Sequence, residues 1–121
     1  MIIMLTAQYT MAAERGAEQL APLLAGPQPA VLRLVHETVR GASARGRWVG
    51  VCGELAGDPV AAILFAGLGV TELSMAPALV PDVKAALREV DLADARRAAA
   101  AALEADDVDA VRALATQLLT S

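Results

Sequence analysis

The chain has 121 residues, 10 Lys and Arg against 14 Asp and Glu, a formal net charge of −4 and a pI near 4.8. That length holds one small domain, and the acidic balance offers no electrostatic footprint for nucleic acid or anionic lipid. Apolar residues make up 56 %, yet Tyr9, Trp48 and Phe65 are the only aromatics and much of the rest is alanine, which predicts much helix around a shallow core.

Met1 to Leu5 is a short apolar run of strand type, too short for a secretory signal and without its basic flank. Residues 8–26 are mixed, with a helical turn or two expected over 17–24, before Pro27 and Pro29 punctuate the chain. Over 30–45 the residues Val31, Leu34, Val35, Val39 and Ala42 recur at helical spacing, predicting an amphipathic helix that Gly46 ends. A strand is predicted over 47–52, a helix over 59–68 and a strand over 70–75. Pro81-Asp82 opens a helix to about residue 90, and Asp91 with Asp94 caps one ending near Glu104. Asp106 or Asp107 caps a last helix reaching Leu118, and the Ala98–Ala102 run is expected on a helix surface.

The longest nearly uncharged apolar stretch, 59–70, falls well below the ~18 residues of a membrane span. A single cysteine argues against a disulfide scaffold and fits a reducing cytoplasm. That cysteine stands in Cys52-Gly53-Glu54-Leu55-Ala56-Gly57-Asp58-Pro59, where an apolar run ends and Asp58-Pro59 reads as an N-cap and first-turn proline. Strand, thiol, short turn and helix together place a reactive group at the carboxyl edge of a parallel sheet. Two or three parallel strands, however, neither close a barrel nor cover both faces of a sheet. The chain therefore reads as the end of something larger.

Three blocks carry a family resemblance: Gln8-Tyr9-Thr10-Met11-Ala12-Ala13-Glu14-Arg15-Gly16, Trp48-Val49-Gly50-Val51-Cys52-Gly53-Glu54-Leu55-Ala56-Gly57-Asp58 and Gly67-Leu68-Gly69-Val70-Thr71-Glu72-Leu73-Ser74-Met75. From about Gln8 to the C-terminus the chain resembles the end of enzyme I of the bacterial phosphotransferase system, the phosphoenolpyruvate–protein phosphotransferases. The resemblance implies an α/β fold over residues 1–121: part of a (β/α)8 (TIM) barrel, with its last two to three βα units and closing helices. It implies phosphoryl transfer from phosphoenolpyruvate to a protein histidine, with magnesium. In that scheme Cys52 is the acid/base at the methylene carbon of enolpyruvate, and Arg15 contacts the phosphoryl group. The Cys-Gly-Glu block alone also suits pyruvate phosphate dikinase and phosphoenolpyruvate synthase, and the Gln-Tyr-Thr…Arg-Gly block tilts the choice toward enzyme I.

The chain departs from that family where the metal belongs. Enzyme I carries an Asn-Asp pair, its aspartate a magnesium ligand, just before Leu-Thr-Gln-Tyr-Thr. Here the run is Ile2-Ile3-Met4-Leu5-Thr6-Ala7-Gln8, so no metal ligand is assigned to this chain. A whole barrel takes ~250 residues, and the partner glutamate, the other phosphate-binding arginines and the phosphohistidine domain have no counterpart.

Two functional expectations follow. Either the chain is a truncated portion whose activity belongs to a full-length enzyme, or it is a non-catalytic module, a homodimer or the partner of a chain supplying the missing strands. A free-standing thiol redox protein is disfavoured by the lack of a second cysteine and of a basic cluster beside Cys52. His36, the sole histidine, belongs on a helix surface. Glu54 either borders the site or orients the turn, and Ser74 and Met75 either line a pocket or pack at a strand end. Arg96, Arg97, Glu104, Asp106, Asp107 and Asp109 form a solvated charged surface.

Overall fold

Ile2–Ile3 (β1) opens the described part of the chain; the computed structural model describes residues 2–3, 11, 19 and 26–121. There follow α1 (Pro29–Ser43), β2 (Gly50–Cys52), α2 (Pro59–Leu68), β3 (Glu72–Ser74), α3 (Val80–Arg88), α4 (Leu92–Leu103) and α5 (Val108–Leu119). Single 3-10 turns lie at Leu55–Gly57 and Pro77–Leu79. The strands are parallel in the order β1-β2-β3, with Ile2 opposite Gly50 and with Val51 and Cys52 opposite Leu73 and Ser74. The expected α/β class therefore holds. The helical turns expected over 17–24, and Arg15, lie outside the described residues.

The core forms around α2, which is apolar on every side and is buried accordingly. Ala61, Ala62, Ile63, Leu64 and Phe65 are all at most 1 % exposed, and the helix packs against α1, α3, α4 and α5. Its ends are where the sequence puts them. The Asp58 carboxylate accepts a hydrogen bond from Val60 N at the start, and Gly69 closes the helix in the left-handed region at φ +99°.

The Ala98–Ala102 run is a correction to the surface expectation. Ala98, Ala99 and Ala102 are buried, together with Ala95, because α4 needs small side chains to lie close to α2. Gly67 on α2 marks the point of closest approach: a Cβ there would overlap the Ala95 carbonyl oxygen and come 2.9 Å from Ala99 Cβ.

The α1 stripe also differs in one position, since Leu34 is 37 % exposed while Leu32 is buried beside Val31, Val35 and Val39. Helix α1 stops at Ser43 rather than 45, and Gly46 (φ +64°) turns the chain beyond it. The strands β2 and β3 are shorter than expected, although Thr71 N still donates to the Val49 carbonyl at 3.0 Å below the ladder. Asp107, not Asp106, caps α5 by accepting from Ala110 N at 2.8 Å. Asp91 occupies the N-cap of α4 without a side-chain capping bond. The six charged residues from Arg96 to Asp109 are exposed as expected, and His36 is half-buried on α1. No helix among the described residues is long and apolar enough to cross a membrane.

Candidate functional site

Side chains alternate between the two faces of a strand, so the register sorts them. Val51 and Leu73, opposite one another, belong to or pack on the hydrophobic core. Gly50, Cys52, Glu72 and Ser74 therefore leave the other face, with Cys52 half-buried and Ser74 exposed. Trp48, 52 % exposed, shares that face, and a Cβ at Gly50 would come 3.2 Å from the edge of its indole ring. The sheet thus has one face fixed to helices and one face bearing a thiol, a hydroxyl, a carboxylate and an indole.

Beyond Cys52 the chain turns on Gly53 (φ +108°), whose N–H donates to the Ser74 carbonyl at 3.3 Å. This bond ties the strand ends together where the side chains of Cys52 and Ser74 emerge. The 3-10 turn Leu55–Gly57 then folds inward, burying Ala56 and Gly57. Gly57 is required by close approach, because a Cβ there would meet Leu79 Cδ1 at 2.5 Å and Met75 Cβ at 3.5 Å. Met75 thus packs at the strand end, the blander of its two expected roles. Glu54 is exposed at the mouth of the turn.

Asp58 ends the loop with both carboxylate oxygens engaged. One accepts from Val60 N at 3.0 Å, and the other accepts from Arg112 Nη1 on α5 at 2.6 Å. Its capping role was legible in Asp58-Pro59. The partner was not, because it lies 54 residues on and no local pattern announces it.

Of the two site residues expected from the sequence, Cys52 sits at the carboxyl end of β2 and Arg15 lies outside the described residues. Among the described residues no three His, Cys, Asp or Glu side chains are grouped to hold a metal ion. An open cleft of about 410 Å³ lined by Glu37, Thr38, Gly41, Ala42, Arg45 and Arg47 opens where α1 gives way to β2. It belongs to the amino end of that strand, the end opposite Cys52, where parallel α/β proteins build stability rather than catalysis.

Comparison with known proteins places most of this architecture in one family. Residues 5–92 match the family described as PEP-utilising enzyme, PEP-binding domain. The phosphoenolpyruvate-protein phosphotransferase of Haloferax volcanii is 54 % identical over 100 residues, which is 83 % of this chain and 18 % of that protein. The multiphosphoryl transfer protein of Xanthomonas campestris pv. campestris is 48 % identical over 110 residues, 91 % of this chain and 13 % of that protein. The phosphoenolpyruvate-protein phosphotransferase of Streptomyces coelicolor is 46 % identical over 114 residues, 94 % of this chain and 20 % of that protein. The chain thus spans a fifth or less of the length of these curated relatives, and the shared part includes Cys52 and its loop.

Proposed function

The chain belongs to the PEP-utilising enzymes through their PEP-binding domain, and from that membership we propose that it is the C-terminal portion of a phosphoenolpyruvate-protein phosphotransferase. The reaction is phosphoryl transfer from phosphoenolpyruvate to a protein histidine, carried out by the complete enzyme in the cytoplasm. The observation that carries this reading is the position of Cys52: inside the matched residues, at the carboxyl end of a parallel strand, on the face turned away from the core. Relatives named as phosphotransferases favour it over a dikinase or synthase.

In this reading β1, β2 and β3 are the sixth to eighth strands of a (β/α)8 barrel, and the face bearing Trp48, Cys52, Glu72 and Ser74 is its interior. Departure of the phosphoryl group from phosphoenolpyruvate leaves the enolate of pyruvate. The enolate's carbon–carbon π pair takes the proton of the Cys52 thiol at the methylene carbon, giving pyruvate and a thiolate. Arg15 offers the phosphoryl group a permanent charge and a fork of donors. Magnesium would neutralise phosphate charge in the complete enzyme. The apolar run Ile2-Ile3-Met4-Leu5 stands where its ligand would be, so no step is assigned to a metal held by this chain.

Calorimetric titration of the chain with phosphoenolpyruvate and magnesium tests the reading, alongside Cys52→Ala and Arg15→Ala. Saturable binding that survives Cys52→Ala and is lost in Arg15→Ala is expected. A folded chain that binds nothing would count against a phosphoenolpyruvate site built by these residues.

A second reading rests on the sheet. Among the described residues β3 pairs only with β2, so its outer edge and the face carrying Trp48 suit a second copy or a chain with the complementary strands. A chain that sediments as a well-folded monomer at high concentration would sink it.

A further inference from the structure

We propose that Arg112, on the last helix, is a positioning residue for the loop that carries Cys52, acting through the carboxylate of Asp58; its functional consequence rests on the reading above. Residues 53–58 lead from the thiol-bearing strand end into α2, and among the described residues three contacts with other elements help to hold them. Gly53 N–H donates to the Ser74 carbonyl, Gly57 lies directly against Leu79, and Asp58 is held at both oxygens. The first two come from the neighbouring β3 and the turn after it. The third comes from α5, beyond residue 92, where the family match ends.

The Asp58–Arg112 pair differs from the exposed ion pairs of this chain. Its N–O distance is 2.6 Å and the Arg112 and Asp58 side chains are 40 % and 21 % exposed, whereas Arg40 and Glu37 are 66 % and 61 % exposed. A short, charge-assisted bond to a carboxylate already fixed by a backbone N–H holds position better than two long side chains meeting in water. Gly26 lies near this pair. A Cβ there would come 2.7 Å from Val108 Cγ1 and 4.0 Å from Arg112 Nη1, so the chain entering α1 passes beside Arg112. Helix α5 thereby sets the lateral position of the loop. A proton donor displaced by ~1 Å can lose about 100-fold in rate, so the far end of the chain has a route to the chemistry.

Amide hydrogen exchange and iodoacetamide alkylation of Cys52 test this in the whole chain and in Arg112→Ala and Arg112→Lys, with urea unfolding as the measure of global stability. The amides of Gly53, Gly57 and Asp58 serve as reporters, being hydrogen-bonded to Ser74, Glu54 and Leu55 carbonyls. In Arg112→Ala they are expected to exchange about tenfold faster, beyond any global change and without a matching change in α4 amides, as ~1.4 kcal/mol of lost local restraint gives. Cys52 alkylation is expected to change by several-fold, and Arg112→Lys to restore most of both. Loop amides that follow global stability alone would overturn the proposal. So would a loosened loop with unchanged alkylation, which would leave Arg112 a brace of the fold only. Should Arg112→Ala fail to fold, Asp58→Asn, which keeps a capping oxygen but loses the charge pair, carries the same comparison. Phosphoenolpyruvate titration of the unaltered chain stands apart: absence of binding counts against the functional reading, while exchange and alkylation still decide the positioning role.

Discussion

Cys52 and Ser74 stand opposite one another at the carboxyl ends of two adjacent parallel strands, and the alternation of β2 and β3 sends both side chains away from the core. The Gly53 N–H bond to the Ser74 carbonyl closes the ladder just beyond them. A thiol and a hydroxyl are thereby presented side by side where a parallel α/β protein builds its ligand sites.

Cys52→Ala and Ser74→Ala are expected to change unfolding free energy by less than about 1 kcal/mol, because neither side chain is part of the core. On the proposed reading, with the Ser74 hydroxyl facing the phosphoenolpyruvate site, Ser74→Ala is expected to weaken that binding by about fivefold, the loss of one hydrogen bond of ~1 kcal/mol. Urea unfolding and calorimetry check the two halves, and a Ser74→Ala chain with wild-type affinity would remove the hydroxyl from the site.

Gly67→Ala reads as a stabilising change from helix propensity, by ~1 kcal/mol. The contact with α4 reverses the sign, since the added methyl would overlap the Ala95 carbonyl. Net destabilisation of about 1–3 kcal/mol is expected in denaturant unfolding.

Two capping aspartates separate local from long-range roles. Asp107→Ala removes only the bond to Ala110 N and is expected to cost ~1 kcal/mol. Asp58→Ala also leaves Arg112 without its carboxylate and is expected to cost more, about 2–3 kcal/mol. Equal losses in thermal or urea unfolding would mean that the Arg112 bond contributes nothing to stability.

Arg33 on α1 donates Nε to the Leu103 carbonyl at 2.7 Å and Nη2 to the Ala105 carbonyl at 3.3 Å, satisfying carbonyls at the end of α4. Arg33→Ala is expected to cost about 1 kcal/mol. Arg40→Ala, which breaks only the exposed pair with Glu37, is expected to stay within ~0.5 kcal/mol. Urea midpoints of the two variants check the ranking.

What was legible in the sequence is what neighbouring residues decide among themselves. Asp58-Pro59 announces the start of α2 and Gly69 its end, because caps and left-handed glycines act within one turn. The apolar run between them signals a buried helix, and Cys52 could be assigned to a strand's carboxyl end from the turn that follows it. Only the tertiary structure decided which alanines of α4 are core, because burial there depends on the bare backbone of Gly67 twenty-eight residues earlier meeting Ala95. The same holds for the strands' short extent, where pairing with neighbours rather than β propensity sets the limits. Arg33 reaching Leu103, Arg112 reaching Asp58, and the side-by-side placement of Cys52 and Ser74 join residues 70, 54 and 22 positions apart. No periodicity encodes such meetings: they exist once the helices have packed and the chain's conformational freedom is already spent.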